Sequence, residues 1–320
     1  MQVLVPARID LPNEIQSVGV INRSLPEKGN TLGNILEGLI SGESIMADRE
    51  ASDRCIAGVT EHLNQAPRFS AVAIHGANLK GTGTKQFAPP LPWSEVDRFC
   101  KQYNVDALAV LESFDSDIFF DRRERRVKRK INDREVMVTE YLADMNIRVN
   151  AGWRIYDNIQ KRIIDENVYV DERHWDSQGD NPEEAFRRLP PKRRALNDAG
   201  HFSGQQYAIR ISPNWLTVSR SYYKKGNDRM KLAREYAKRG NWDSAISTWK
   251  IEAQNADPEI AGRACYNMAV ASERNGDLET ALIWANKALT EYNNKKAAAY
   301  IAILKQRLAD QQRLDRQMGI

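Results

Sequence analysis

Residues 238–249 read KRGNWDSAISTW, and residues 274–285 read RNGDLETALIWA. The two align without a gap, 36 residues apart: Gly240 with Gly276, Asn241 with Asp277, Trp242 with Leu278, Ala245 with Ala281 and Ile246 with Leu282. Each copy carries the punctuation of one helix ending and another beginning. Glycine tolerates the left-handed conformation that closes a helix. Asn or Asp accepts the first free N–H groups of the next helix, and the alanine five places after the glycine is small where two helices touch. Met twice at one spacing, this pattern predicts helical pairs stacked along residues 223–320.

This part resembles the tetratricopeptide repeat family over about 90 residues, with a period close to that family's ~34. The longer spacing fits an inter-repeat loop around Asn255 to Pro258, and Ala233 and Ala269 stand where the family usually has glycine. In the first repeat helix Asn227, Lys231, Arg234 and Lys238 recur at helical spacing, with Leu232 and Tyr236 on a face expected to pack inward. Arg263, Asn267, Val270 and Arg274 hold the matching places in the second repeat. The resemblance implies that these positions line a concave surface. That strip would be basic, interrupted by amides, and suited to an acidic segment or a free C-terminal carboxylate of another protein. Residues 295–317 read as a final helix, with Ala298, Ile301 and Leu304 on one face, capping the array.

The first half alternates strand and helix signals. IQSVGVIN (15–22) is a short apolar strand followed by a long Gly-rich polar stretch. Cys55, Val59 and Leu63 then mark one face of a helix from Asp48 to Asn64, and FSAVAI (69–74) is the second strand. Ser94 is placed to cap a helix running to Tyr103, and DALAVLESF (106–114) is a buried strand. This β-α-β-α-β order builds a sheet with crossover helices. Residues 136–156 and 162–175 then read as two long strands joined by a turn, an antiparallel hairpin. A helix over 196–211 carries Gly200 and Gly204 four apart, which permits close backbone approach. The fold class expected is an α/β domain with a mixed sheet over 1–222, then an all-α repeat domain over 223–320.

On the IQSVGVIN strand, the helix ending HLNQAPRFSAV and VDALAVLESF, residues 15–175 are similar to the α/β domain that begins TolB and the curli secretion lipoprotein. With the repeats behind it, the chain resembles a family of bacterial cell-envelope lipoproteins. That resemblance implies a non-enzymatic scaffolding or protein-binding role and a leader with a lipidated cysteine upstream. It also implies a site on the periplasmic side of the outer membrane or at the cell surface, with membrane contact only through that anchor.

Other residue patterns bear on chemistry. The segment from Asp121 to Arg134 carries eight Lys or Arg against three acids, while the whole chain sums to +4, so the positive excess is local. No aromatic is interleaved with these residues for base stacking. The expected reading of 122–134 is a solvated hairpin connection, with an anionic polymer or nucleic acid as the alternative. Asp115 and Asp117, with Glu112 and Asp121, sit where a strand is expected to end. They supply the rival reading, a carboxylate- or metal-dependent enzyme. HGANLKGTGTK (75–85) has the glycine spacing of a phosphate loop but Thr82 where lysine is needed. GHFSG (200–204) lacks the glycine two places before Ser203 that a nucleophile elbow requires. The histidines at 62, 75, 174 and 201 show no ligand spacing, and Cys55, Cys100 and Cys265 read as buried free thiols. No cofactor, metal or nucleic acid is expected.

Overall fold

A computed structural model describes residues 1–25, 42–82 and 86–320. Most of the Gly-rich stretch after the first strand, and the end of the 75–85 loop, lie outside the described residues. The chain forms two compact units. One comprises Ala7–Pro213, and the other joins Met1–Pro6 to Asn214–Ile320.

The first unit is α/β. Its five-stranded sheet has the order β3-β2-β4-β5-β6, from β2 (Ser17–Asn22), β3 (Ser70–Ile74), β4 (Ala107–Ile131), β5 (Arg134–Asp157) and β6 (Arg162–Gly179). β2 runs parallel to both β3 and β4, whereas β4, β5 and β6 form an antiparallel meander. Helix α1 (Gly42–Gln65) connects β2 to β3, and α2 (Trp93–Tyr103) connects β3 to β4. α2 begins after Pro92, so Ser94 is not its cap: proline presets the backbone, and no side chain is bonded to the first turn. A short α3 (Pro182–Arg187) and a long α4 (Lys192–Ile211) follow the meander.

One face of the sheet buries Val18, Val20, Leu111, Met145, Ile147 and Trp153 beneath α1 and α4. The other buries Ile21, Leu108, Val110 and Tyr156 with Val96 and Phe99 of α2. α1 and α4 approach closely for the reason the glycine spacing foretold. A Cβ at Gly200 or Gly204 would strike the carbonyl oxygen of Ala51 or Cys55. The acidic cluster and basic run, however, lie elsewhere than expected. β4 continues through Asp115, Asp117 and Asp121 and through the whole basic run, and the chain turns only at Asn132 and Asp133. Both turn residues have positive φ, 48° and 61°, as a tight two-residue hairpin requires. The run is therefore strand, and the aspartates are mid-strand. Charge alternating on both faces of a long ribbon hid its strand periodicity.

The second unit is helical: α5 (Asp228–Lys238), α6 (Trp242–Glu252), α7 (Pro258–Arg274), α8 (Leu278–Thr290) and α9 (Lys296–Met318). The repeat punctuation is realised twice. Gly240 and Gly276 have φ of 81° and 85°. Asn241 accepts from the Ser244 N–H, and Asp277 from that of Thr280. Ala233, Ala245, Ala269 and Ala281 are fully buried between helices. Two expectations fail at single residues: Leu232 is 47% exposed instead of packing inward, and Ala298 is exposed while Ala297, Ile301 and Leu304 form the buried face of α9.

β1 (Gln2–Val5) pairs antiparallel with β7 (Asn214–Thr217), Val3 opposite Leu216. This pairing assigns the first six residues to the helical unit and starts its main segment at Asn214. The sequence boundary at 222/223 falls inside that unit.

Candidate functional site: the faces of the repeat helices

Residues 218–225 connect β7 to α5 without regular structure, and they lie along α7. The Arg220 guanidinium bonds both carboxylate oxygens of Glu273, each at 2.9 Å. Asn267 accepts from the Tyr223 N–H at 2.7 Å and donates to the Tyr223 carbonyl at 2.9 Å. Arg263 donates to the carbonyl of Lys225. The order of these contacts makes this strap antiparallel to α7. Five extended residues span at most ~17 Å, and the ten helical steps from Arg263 to Glu273 rise ~15 Å, so strap and helix stay in step.

Side chains pin the strap on both sides. The Tyr223 ring meets Tyr266 edge-on at 5.3 Å, and its hydroxyl donates to Asn294. The Arg263 and Lys296 cations lie 5.6 Å and 5.0 Å from its centre. Tyr222 packs instead on Trp242 and Trp249. Glu273 is buried and takes further bonds from the Tyr300 hydroxyl at 2.6 Å and Arg307 at 2.7 Å. Burial pushes its carboxyl up, but Arg220, Tyr300 and Arg307 together hold it below the ordinary carboxylate range. Burial, and then the Glu273 charge, push the Tyr300 phenol up. A cleft of ≈ 240 Å³ opens beside the strap, lined by Tyr223, Arg263, Tyr292, Lys295 and Lys296 among others.

The seven residues expected on a concave surface therefore play different parts. Asn267 is fully buried and occupied by the Tyr223 backbone. Asn227 caps α5, accepting from the Met230 N–H, and donates to Glu252 at 2.6 Å. Arg263 is paired with Glu259 and turned to the strap. Lys231, Lys238 and Arg274 are exposed and Arg234 is half-buried. Lys231 meets only exposed Asp228, Arg234 reaches its neighbour Glu235, and Arg274 covers the Trp242 ring at 4.7 Å. Val270 is buried. Sequence reasoning missed the strap because SRSYYKK has no periodicity; the signal available was its paired tyrosines beside an arginine.

The α/β unit holds buried charge of another kind. Glu112 follows Leu108 and Val110 on one buried face of β4, where Arg154 bonds it at 3.0 Å, Arg23 at 3.2 Å and the Tyr156 hydroxyl at 3.2 Å. Burial outweighs these partners and pushes the Glu112 carboxyl up. Arg23 and Arg154 also donate to the carbonyls of Pro89 and Ala88, so the cluster clamps the loop before α2. Asp48 of α1 accepts from Ser116, between Asp115 and Asp117. Burial, with the charges of Asp115 and Asp117, raises its carboxyl to about 6. Among the described residues no group of three His, Cys, Asp or Glu is placed to hold a metal. Ser203 is buried within α4 and donates to Asp171, a helical setting unlike an elbow. His201 faces Glu61 at 2.8 Å. All three cysteines are buried and free, and burial pushes the Cys265 thiol to about 11.

An α/β sheet unit paired with a helical-repeat unit is the class the architecture defines. Residues 15–223 match the family described as Domain of unknown function (DUF8603), and the chain belongs to it. Residues 231–306 match a second, Domain of unknown function (DUF6340). No curated protein matches the chain. Among solved structures, a neuraminyllactose-binding hemagglutinin homolog from Helicobacter pylori is similar at 8% identity and a TM-score of 0.25, over 72% of this chain and 94% of that one. A likeness that low carries nothing about fold or ligand.

Proposed function

We propose that the protein is a non-enzymatic scaffolding component of the bacterial cell envelope, whose helical unit is of tetratricopeptide-repeat type and holds an extended segment of another protein. The observation behind this reading is the double hydrogen bond from Asn267 to the Tyr223 backbone. A side-chain amide that takes both the N–H and the C=O of one residue grips a chain by its backbone, whatever its sequence. On α7 that grip is spent on the chain's own strap. The α5 face, with Lys231, Arg234, Lys238 and the neighbouring Arg274, is engaged among the described residues by exposed Asp228, adjacent Glu235 and the Trp242 ring under Arg274. It is the part left for a partner, and its charge favours an acidic segment or a C-terminal carboxylate. The envelope setting rests on the lipoprotein resemblance.

The test replaces Lys231, Arg234 and Arg274 with Glu and compares partners captured from envelope extract with those of the native protein. Loss of a specific acidic partner supports the reading, and an unchanged partner set overturns it. Fractionating cells that express the complete gene tests the setting. Fatty-acid-labelled protein in the outer-membrane fraction is expected, and unlabelled cytosolic protein would refute it.

A further inference from the structure

We propose that the outer end of the β4–β5 hairpin lies flat on an anionic phospholipid bilayer, with a face of three valines turned to the lipid and arginines around it. β6 ends where Gly179 meets Tyr141, and among the described residues no third strand flanks the ribbon beyond that point. Two strands without a further layer are marginal in water. A bilayer surface would supply that layer.

Register sorts the side chains of the ribbon. Residues directly opposite in an antiparallel pair share a face, and so do alternate residues along one strand. Val127 stands opposite Val138, and Arg129 opposite Val136. Val127, Val136 and Val138 therefore share one face with Arg125, Arg129 and Arg134. Val136 is 38% exposed, and the other two valines are half-buried. Arg125 and Arg129 bond the covered Glu140 between them, yet their own side chains stay 55% and 42% exposed. Exposed Arg134 completes the rim beside the turn.

Charge and apolar surface together select the occupant. From Arg126 to Thr139 five bases stand against two acids. Both acids are answered within the hairpin, Glu135 by Lys128 and Asp133 by Lys130, so the excess rests on the arginines, with Arg126 and Arg134 outside these pairs. An aliphatic patch rimmed by cations fits a surface that is anionic outside and apolar just below, as headgroups over acyl chains are. Arginine lays its stem along the apolar layer and keeps its guanidinium among the phosphates. Nucleic acid would meet the arginines but leave the valines in water, and residues 125–139 offer no aromatic to stack on a base. A second copy of the hairpin would bring like charges together. The contact is separate from the anchor that the lipoprotein resemblance implies, and it does not rest on the partner segment proposed for the repeat helices.

Co-sedimentation of the full chain with vesicles tests the proposal. The chain is expected to bind vesicles of phosphatidylglycerol mixed with phosphatidylcholine, to leave them as salt rises, and to ignore pure phosphatidylcholine. Arg126→Gln with Arg134→Gln should weaken the binding about 25-fold, at about fivefold for each base near an anionic surface. Val127→Thr with Val136→Thr and Val138→Thr keeps the β-branched shape and every charge, and it should release the chain as well. A polarity-sensitive dye on Val136→Cys should shift to the blue on anionic vesicles, whereas the same dye on Arg194→Cys, an exposed position of α4, should not. The dye decides the matter if a charge or valine variant fails to fold. A chain that ignores anionic vesicles overturns the proposal. So does binding that the valine variants leave unchanged, and so does tighter binding to a nucleic acid duplex than to the vesicles, which would assign the hairpin to a polyanion.

Discussion

Asp48 is a carboxyl held where its charge is unwelcome. α1 brings it against Ser116, with Asp115 and Asp117 on either side along β4. Burial comes first, and the two aspartates add to it, so the group ionises at about 6 instead of 3.8. A carboxyl with a raised folded pKa binds its proton more tightly in the folded chain. Its contribution is complete below the unfolded value and is lost as pH rises through the folded value, here between about 4 and 6. Asp48→Asn keeps an acceptor for Ser116 and removes the charge. Thermal unfolding should show the variant more stable than wild type at pH 7.5, by up to about 3 kcal/mol at ~1.4 kcal/mol per pKa unit, with the advantage gone at pH 4. Equal stability at both values would mean that the carboxyl is solvated. Neither this contact nor the one between Asn267 and Tyr223 could be read from the sequence. Each joins residues 44 or more apart through a chain that gives no sign of folding back. Asn267 was legible as a position on a repeat face, but its occupant was not.

Legibility improves with elements, where periodicity repeats. The helix pairs were readable because glycine and a capping Asn or Asp mark their ends twice. Gly200 and Gly204 announced the close packing of α1 and α4. β4 was half legible: its apolar start reads as strand, but from Asp115 onward charged residues occupy both faces and the alternation disappears. The consequence is two kinds of arginine in one run. Arg123 and Arg125 bond Asp144 and Glu140, which are 4% and 7% exposed. Arg122 rests on the Phe186 ring, and no carboxylate of β5 stands opposite Arg122 or Arg126. Replacing Arg122 and Arg126 by Gln should change the melting temperature no more than exposed substitutions usually do. Replacing Arg123 and Arg125 should lower it clearly, because largely covered Asp144 loses its arginine and Glu140 keeps only one of its two, Arg129. Equal effects from the two pairs would show that the ribbon's ion pairs contribute nothing.

At the scale of the whole chain, the N-terminus belongs to the unit at the other end of the sequence. Local pattern reading divides a chain where composition changes, and so it placed a boundary at 222/223. It had no means of seeing that four residues at the start pair with four beginning at Asn214. The pairing is anchored beyond the strands as well, since the Met1 amino group donates to the Val218 carbonyl at 3.0 Å and Val218 donates back to the Met1 carbonyl at 2.9 Å. Val3 is buried, whereas Trp215 and Leu216 of β7 are more than half or half exposed, so β7 depends on β1 for its backbone hydrogen bonds more than on its own side chains. From β7 the chain enters the strap along α7, and loss of β1 should therefore propagate there. Deleting Met1 to Pro6 should speed amide exchange at Asn214–Thr217 and at Tyr223, while β4 and β5 in the Ala7–Pro213 unit keep their protection. Faster exchange confined to the α/β sheet, with β7 and the strap unchanged, would place the first strand in the wrong unit.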